Sequence, residues 1–238
     1  MEASLVGRSY LVVGATSGIG AALVRQLHER GAKVYAWGRQ PVEGLAGSWT
    51  CWDVLSGEPA PVASLPEVLH GMAYMPGNIP LKPFHRTSLD DFRQTLELNL
   101  LGAIQSIQSV LPALKNAGGS SVVLMSTVAA RVGMPFHSSI AAAKAALEGL
   151  TLSLASEYAA QQIRFNAVAP SLTRTPLAGS LLSTPEKVEA SGKRHPLGRV
   201  GEASEPASAI RFLLDPESSW VTGQIWGVDG GMANLKGL

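Results

Sequence analysis

The sequence predicts an α/β protein with a mostly parallel, doubly wound sheet of seven strands and helices on both faces, in three layers. Short apolar runs alternate with longer helical patterns along all 238 residues. Such alternation implies right-handed crossovers and a parallel sheet that is covered on both faces. A glycine-rich turn, GATSGIG at 14–20, joins the first strand to the first helix. No repeat or Pro/Gly linker divides the chain, so we expect residues 1–238 to form one domain.

The strands are predicted from short apolar runs that are rich in β-branched and aromatic residues. The helices are predicted from longer periodic segments, and the first of them ends at Gly31 because glycine suits a helix C-terminus. Prolines at 59, 61 and 66 disfavour a helix between the third and fourth strands, so that crossover should shrink to a turn or two. In chain order we expect strands at 9–15, 33–38, 49–54, 69–75, 121–126, 163–169 and 224–228, and helices at 21–31, 88–115, 139–160 and 203–214.

The composition excludes several classes of protein. Hydrophobic residues make up 46% of the chain and charged residues 16%, with a net charge of +1. Nucleic-acid binding needs a basic patch, which this balance does not supply. The single cysteine, Cys51, rules out an internal disulfide, and no apolar run reaches the roughly 18–20 residues of a membrane span. With no signal-peptide pattern at its start, we expect a cytoplasmic protein that binds neither nucleic acid, membrane nor metal.

The turn at 14–20 carries the first functional signal. Gly14, Gly18 and Gly20 let the backbone turn sharply and approach a pyrophosphate, and the N-terminus of the following helix favours an anion. The structural alternative is a tight strand-to-helix turn without a ligand. The position of this turn between a strand and a helix favours the interpretation that it binds a pyrophosphate.

The spacing G-x-x-x-G-x-G resembles the short-chain dehydrogenase/reductase family, and the resemblance covers nearly the whole chain. Asp53 looks like the family's adenine-contacting aspartate, and Asn99 matches its helix asparagine. Residues 74–77 stand where the family has Asn-Asn-Ala-Gly, and 166–176 resembles its NxxxPGxxxTP loop, with Ser171 replacing the glycine. The resemblance implies a Rossmann-type dinucleotide-binding domain, with these cofactor-binding residues: Gly14, Thr16, Ser17, Gly18, Ile19, Gly20, Arg39, Asp53, Val54, Pro76, Gly77, Lys144, Pro170, Leu172, Thr173 and Thr175.

The end of the second strand favours NADP(H) over NAD(H). An acidic residue there would hold the ribose 2′-OH of NAD, whereas an arginine accommodates the 2′-phosphate of NADP. This chain has Gly38 at the acidic position, followed by Arg39. Guanidinium geometry suits a phosphate, although a solvated loop arginine is the alternative.

The catalytic positions depart from the family pattern. The family uses an asparagine, a serine and a Tyr-x-x-x-Lys pair, in which the lysine favours tyrosinate and the tyrosine exchanges a proton with the substrate. Aligned on Lys144, the tyrosine position is Ile140 and the serine position is Thr127, preceded by Ser126. The chain therefore resembles an atypical member that lacks the catalytic tyrosine.

Several groups are candidates to replace the tyrosine. His137 would share the Ile140 face if the helix extends back that far, and a water held by Lys144 and Thr127 is a second option. Ser138 or Ser139 is expected to cap the helix. Tyr74 ends the fourth strand, where a role toward the backbone is favoured.

The resemblance implies an oxidoreductase that acts on a carbonyl, an alcohol or an activated C=C bond of a small, mostly apolar substrate. The loop at 171–200 supplies Leu172, Leu177, Leu181 and Leu182 for an apolar lid. A catalytically inactive nucleotide-binding sensor or scaffold, and a non-redox lyase or isomerase, remain alternatives. Helices at 88–115 and 139–160 resemble those that pair in family assemblies, so a homo-oligomer, a dimer or tetramer, is expected.

Overall fold

The computed structural model describes residues 5–41 and 47–235. Seven of its strands form one sheet, and two further short strands form a small separate ribbon. The strands are β1 Ser9–Val13, β2 Lys33–Gly38, β3 Gly47–Cys51, β4 Gly71–Tyr74, β5 Ser120–Met125, β6 Ile163–Pro170, β7 Thr173–Arg174, β8 Gly201–Glu202 and β9 Ile225–Val228. The helices are α1 Gly18–Glu29, α2 Leu89–Leu96, α3 Gly102–Asn116, α4 Ser138–Tyr158, α5 Pro185–Gly192 and α6 Ser204–Leu214.

The large sheet confirms the predicted doubly wound architecture. Its strand order is β3-β2-β1-β4-β5-β6-β9, and neighbouring strands are parallel throughout. The order reverses between β1 and β4, and ligands of such sheets bind beyond the carboxyl ends of the strands at this switch point. A ligand site is therefore expected at the loops after β1, β4 and β5.

Helices cover the sheet on both faces because successive strand residues point to opposite sides. Val12 packs in a core with α1 and α6, whereas its neighbour Leu11 packs in a second core with α3 and α4. Both faces are thus apolar, which explains the continuous hydrophobic runs in the strands. Among the described helices, none combines the length and the apolar character needed to cross a membrane.

The crossover between β3 and β4 is reduced to a single short turn at Val62–Ser64, as its prolines predict. The third strand ends at Cys51, earlier than expected, so Asp53 lies in the turn that follows. Helix α1 starts three residues before the predicted boundary and ends at Glu29. Gly31 follows with a φ of +80°, and its N–H donates to the carbonyl oxygen of His28, which closes the helix as glycine should.

The pattern at 88–115 is interrupted, contrary to the prediction of one long helix. A π turn at Glu97–Leu101 separates α2 from α3. The hydroxyl of Tyr74 donates to the carbonyl oxygen of Leu98 inside this turn, at 2.6 Å. The next helix begins at Gly102, where a Cβ would lie 2.5 Å from the Tyr74 oxygen. The buried tyrosine thus supports the irregular turn, which is the backbone-facing role that the sequence favours.

Candidate functional site

A cavity of about 620 Å³ lies at the carboxyl edge of the sheet. It extends from the loop after β1, past the ends of β2 and β3, to the start of α4. The sixteen positions expected to bind cofactor, from Gly14 to Thr175, all line it. Of the expected catalytic positions, Ser126, Thr127, His137, Ile140 and Lys144 line it as well, and Asn99 lies behind the wall at Gly77.

The glycine loop has the backbone geometry that a diphosphate needs. Gly14 and Gly18 have φ values of +77° and +53°, which favour glycine. A Cβ at Gly14 would lie 3.0 Å from Pro76, and one at Gly20 would overlap the carbonyl oxygen of Gly14. Ser17 is the N-cap of α1 and makes no capping hydrogen bond with its side chain. The free N–H groups of the first helical turn therefore face an open, glycine-lined cradle that fits an anion.

The far end of the cavity collects groups suited to the adenosine half of a dinucleotide. Arg39 is exposed after β2, and a Cβ at Gly38 would lie only 3.2 Å from the Thr16 methyl carbon. Asp53 accepts a hydrogen bond from the Leu55 N–H at 3.0 Å through one carboxylate oxygen. Among the described residues that line the cavity, Asp53 supplies the one carboxylate, so cations dominate the lining.

Lys144 is buried, with 4% of its surface exposed, and its ammonium donates to the carbonyl oxygen of Met125 at 2.6 Å. Burial lowers the pKa of this lysine from 10.5 to about 7, because removal from water disfavours the charged form. The amine therefore lies between its charged and neutral forms near neutral pH. Such a group at the wall of a cavity is a candidate for proton chemistry.

Asn99 presents an unused acceptor beside this lysine. Its amide nitrogen donates to Thr95 and Asn78, both at 2.9 Å, and its buried Oδ1 has no hydrogen-bond partner within the described residues. A Cβ at Gly77 would lie 3.2 Å from this Oδ1 and 3.7 Å from the Lys144 Nζ. The absence of a side chain at Gly77 thus leaves the acceptor and the amine uncrowded.

Ser126 and Thr127 differ in what their hydroxyls can do. The Ser126 hydroxyl donates to Glu148 at 2.7 Å, and Glu148 also pairs with Arg131 at 2.9 Å, so this serine is held in an ion-pair network. The Thr127 oxygen accepts from the Ala129 N–H at 3.3 Å, which leaves its own proton free to donate. Thr127 is therefore the better hydrogen-bond donor to a substrate oxygen.

Ile140 is buried in the cavity wall with 5% of its surface exposed, and it offers no polar atom. His137 precedes α4 as its N-cap residue and lines the same cavity, with Nδ1 2.7 Å from the Pro135 carbonyl oxygen. The expected capping by Ser138 or Ser139 is wrong. The N-cap is His137, whose side chain makes no capping hydrogen bond, and both serines lie inside the first turn of the helix.

The segment after β6 borders the cavity with a turn at Pro176–Leu182. Leu172, Leu177 and Leu181 line the cavity as expected for an apolar lid, whereas Leu182 does not. Among the described residues, no group of three His, Cys, Asp or Glu side chains is arranged to hold a metal ion.

Sequence reasoning missed one buried polar group in the cavity wall. His195 has 4% of its surface exposed, and its Nε2 lies 2.8 Å from the hydroxyl oxygen of Ser171. The available signal was Ser171 itself, which stands where the family has glycine. Its partner lies 24 positions further along the chain, so only the folded structure reveals the pair.

The fold and this site define a dinucleotide-binding α/β protein of the oxidoreductase class, and comparison with known proteins agrees. A family model described as Enoyl-(Acyl carrier protein) reductase matches residues 62–233. A tropinone reductase homolog of Arabidopsis thaliana is 38% identical over 246 residues, which cover 96% of this chain and 93% of the relative.

Solved structures extend the same comparison. The ligand-free aldohexose dehydrogenase of Thermoplasma acidophilum is similar with a TM-score of 0.90 and 27% identity, over 100% of this chain and 98% of that one. A gluconate 5-dehydrogenase from Burkholderia cenocepacia, in complex with NADP and tartrate, is similar with a TM-score of 0.89 and 27% identity. The similarity covers 99% of this chain and 98% of that one. The chain belongs to the short-chain dehydrogenase/reductase family of NAD(P)-dependent oxidoreductases.

Proposed function

We propose that the protein is an NADP(H)-dependent oxidoreductase that interconverts a carbonyl and an alcohol, or reduces an activated C=C bond, on a small and mostly apolar substrate. The observation that carries this proposal is the pair of polar atoms beside Gly77, namely the buried Lys144 nitrogen and the Asn99 oxygen, which has no hydrogen-bond partner within the described residues. A purely structural wall would not leave a buried acceptor such as the Asn99 oxygen without a compensating partner.

The residues of the cavity fit a nicotinamide dinucleotide. The glycine loop and the α1 N-terminus would hold the diphosphate, and Asp53 the adenine end. Lys144 and Asn99 would bind the ribose hydroxyls or an ordered water at the reactive end. When bound, such a cofactor supplies or accepts a hydride. The chain itself contributes orientation, exclusion of water by the leucine lid, and a hydroxyl at Thr127 that donates to the substrate oxygen.

The preference for NADP(H) rests on Arg39 and on the missing carboxylate at Gly38. The guanidinium would pair with the 2′-phosphate, which NAD(H) lacks. Isothermal titration calorimetry should find tighter binding of NADPH than of NADH, and Arg39→Ala should abolish the difference. Arg25→Ala removes an exposed arginine outside the cavity and serves as the matched control. Equal affinities for both cofactors in the unaltered chain would contradict the preference.

The substrate class follows from the lid and from the relatives. Leu172, Leu177 and Leu181 give the cavity an apolar side, and tropinone, named in the Arabidopsis relative, is a small ketone with an apolar frame. A screen with tropinone, cyclohexanone, cyclohexenone and gluconate, each with both cofactors, tests the proposal. Consumption of NADPH with one ketone or enone is the expected result. Binding of NADPH without turnover of any of them would contradict it.

A second candidate, a nucleotide-binding sensor without turnover, is favoured by one observation. Ile140 occupies the position of the family tyrosine and has no proton to give. Loss of a positioned acid costs roughly 10²–10⁴-fold in rate, which still leaves a slow enzyme above the uncatalysed reaction. The same screen separates the two candidates, because a sensor binds NADPH and turns over nothing.

Assembly as a homo-oligomer is part of the proposal. Leu152 on α4 and Trp220 near β9 are exposed apolar side chains, at 52% and 99% of their surface. Closed symmetry would cover such residues on two faces. Light scattering at micromolar concentration should give a mass of two or four chains, and a monomeric mass would contradict this expectation.

A further inference from the structure

His195 and Ser171 form a hydrogen-bonded pair whose geometry is set on both sides of the imidazole ring. Nε2 lies 2.8 Å from the Ser171 hydroxyl oxygen, and Nδ1 lies 2.8 Å from the Ser191 carbonyl oxygen. A carbonyl oxygen only accepts, so Nδ1 carries a proton in every charge state of the ring. Proton exchange is therefore confined to Nε2, the nitrogen that faces the serine. This is the arrangement by which a third group orients a histidine toward a hydroxyl.

The pair lies in the wall between two cavities. Ser171 and His195 line the large cavity together with Thr127, Ile140 and Lys144. They also line a second cavity of about 270 Å³, whose polar residues include Arg199, Glu205 and Asp229. One side of the pair thus faces the proposed reaction space, and the other faces a polar compartment that can supply protons from water.

Two of the departures from the family pattern in this cavity concern proton donors. Ile140 removes the proton donor from α4, and Ser171 adds a hydroxyl where the family has glycine. The added hydroxyl is paired with a buried imidazole, the commonest general acid and base in proteins. It also contacts the Met232 sulfur at 3.0 Å, a weak acceptor that a substrate oxygen can displace. The proton donor that is lost at Ile140 and the one that is gained at Ser171 therefore suggest that Ser171 takes over the proton transfer.

We propose that Ser171 and His195 form a proton relay that serves the substrate in place of the missing tyrosine. In the direction of reduction, the Ser171 O–H proton passes to the substrate oxygen or carbon, and the Nε2–H proton of the imidazolium passes to the serine oxygen. The ring becomes neutral with Nδ1 still protonated, and water in the small cavity returns the proton to Nε2. The hydride comes from the nicotinamide cofactor, so the relay rests on the proposed oxidoreductase function.

The charged groups around the ring are engaged with other partners. Arg194 is directed to the Ser191 hydroxyl at 3.2 Å. Arg199 and Glu205 are paired with each other at 2.6 Å, and the Asp229 carboxylate accepts the Gly231 and Ala233 N–H groups. The polar contacts described for the ring are those to Ser171 and Ser191, so no ion pair holds it as a fixed imidazolium.

The kinetic test uses NADPH with cyclohexanone and cyclohexenone as probes. Ser171→Ala should lower kcat by roughly 10²–10⁴-fold, the usual contribution of a positioned acid, and should change the solvent deuterium isotope effect while the NADPH dissociation constant stays the same. Ser171→Thr keeps a hydroxyl and should retain most of the activity. Ser208→Ala, which removes an exposed hydroxyl on α6, is the control. Thermal unfolding of each variant verifies that it is folded.

A spectroscopic test does not depend on turnover. Nitrogen-15 NMR of the His195 ring should find Nδ1 protonated and Nε2 as the exchanging nitrogen, and Ser171→Ala should shift the Nε2 signal much more than the Nδ1 signal. A ring protonated on Nε2 alone, or one that does not respond to Ser171→Ala, would overturn the relay.

The two proposals fail in different ways. If the unaltered chain reduces a probe and Ser171→Ala leaves both kcat and the isotope effect unchanged, the relay is overturned and the oxidoreductase function stands. If the unaltered chain turns over no probe, the proposed function is overturned and the relay with it.

Discussion

Replacement of Lys144 by methionine should reveal the energetic cost of burying its charge. The side chain is almost fully buried, and the two residues have similar length and flexibility. In the unfolded chain the lysine titrates near 10.5, whereas in the folded protein burial lowers its pKa to about 7. Between these values the unfolded chain binds a proton that the folded chain does not.

The sign and size of the effect follow from this difference in protonation. Stability rises with pH wherever the unfolded state binds more protons, so the free energy of unfolding should increase from about pH 7 to about pH 10.5. Each pKa unit corresponds to about 1.4 kcal/mol, which gives on the order of 4–5 kcal/mol over the whole window. Below pH 7 both states hold the proton, and this contribution should be flat. The hydrogen bond to the Met125 carbonyl oxygen favours the charged form and makes the figure an upper bound.

Urea denaturation of the unaltered chain and of Lys144→Met, at one protein concentration and at intervals from pH 6 to pH 9, measures the effect. Other titrating groups cancel in the difference between the two proteins. The unaltered chain should gain stability over the variant by roughly 1 kcal/mol per pH unit above pH 7.5. A difference that is constant across this range would mean that the buried lysine keeps its ordinary pKa, and the argument from burial would be refuted.

Three further substitutions probe the cavity and its supports. Ile140→Tyr should raise the steady-state kcat of ketone reduction far more in the Ser171→Ala background than in the unaltered chain, because the tyrosine would supply a proton donor where the relay is lost. Equal gains in kcat in both backgrounds would argue that position 140 and Ser171 do not serve the same proton transfer. Gly102→Ala should destabilise by roughly 1–3 kcal/mol in urea denaturation, since its Cβ would lie 2.5 Å from the Tyr74 oxygen. The additional Tyr74→Phe change should reduce that cost, and a cost that is the same in both backgrounds would contradict the contact. Gly20→Ala should lower the melting temperature and weaken NADPH binding in calorimetry, because its Cβ would overlap backbone in the phosphate loop; an unchanged affinity would count against the cradle.

Much of the fold was predictable because strands that are buried on both faces consist of consecutive apolar residues. Val12 and Leu11 belong to opposite cores, so β1 reads as a continuous apolar run, and the same holds for β5. The π turn at Glu97–Leu101 was not predictable, since the hydrogen bond that supports it comes from Tyr74, more than twenty positions earlier in the chain. The helical spacing of apolar residues continues through 88–115, so the sequence predicts one helix and does not indicate the interruption.

The candidate site also has a part that the sequence predicts and a part that only the folded structure reveals. The residues of the glycine loop and the family motifs are local in sequence, and their positions in one cavity follow from the strand order. The roles of Ser126 and His195 depend on partners from distant elements, namely Glu148 on α4 and Ser171 after β6. Ser138 illustrates the remaining difficulty, because the helix begins one residue earlier than expected, which makes His137 the N-cap and leaves the expected serine cap unused.

The end of the cavity near Arg39 and Asp53, where we propose that the adenosine binds, is bordered by two tryptophans, Trp37 and Trp52. Their rings are 5.3 Å apart at an interplanar angle of 71°, and both are almost fully shielded from water. Indole emission depends on the polarity of its surroundings and overlaps the absorption of reduced nicotinamides. Occupancy of this end by a nucleotide should therefore alter the native fluorescence of the pair without any label, and Trp220, at 99% exposure, supplies an internal signal from bulk solvent. Native tryptophan fluorescence is thus expected to report nucleotide binding to the purified protein.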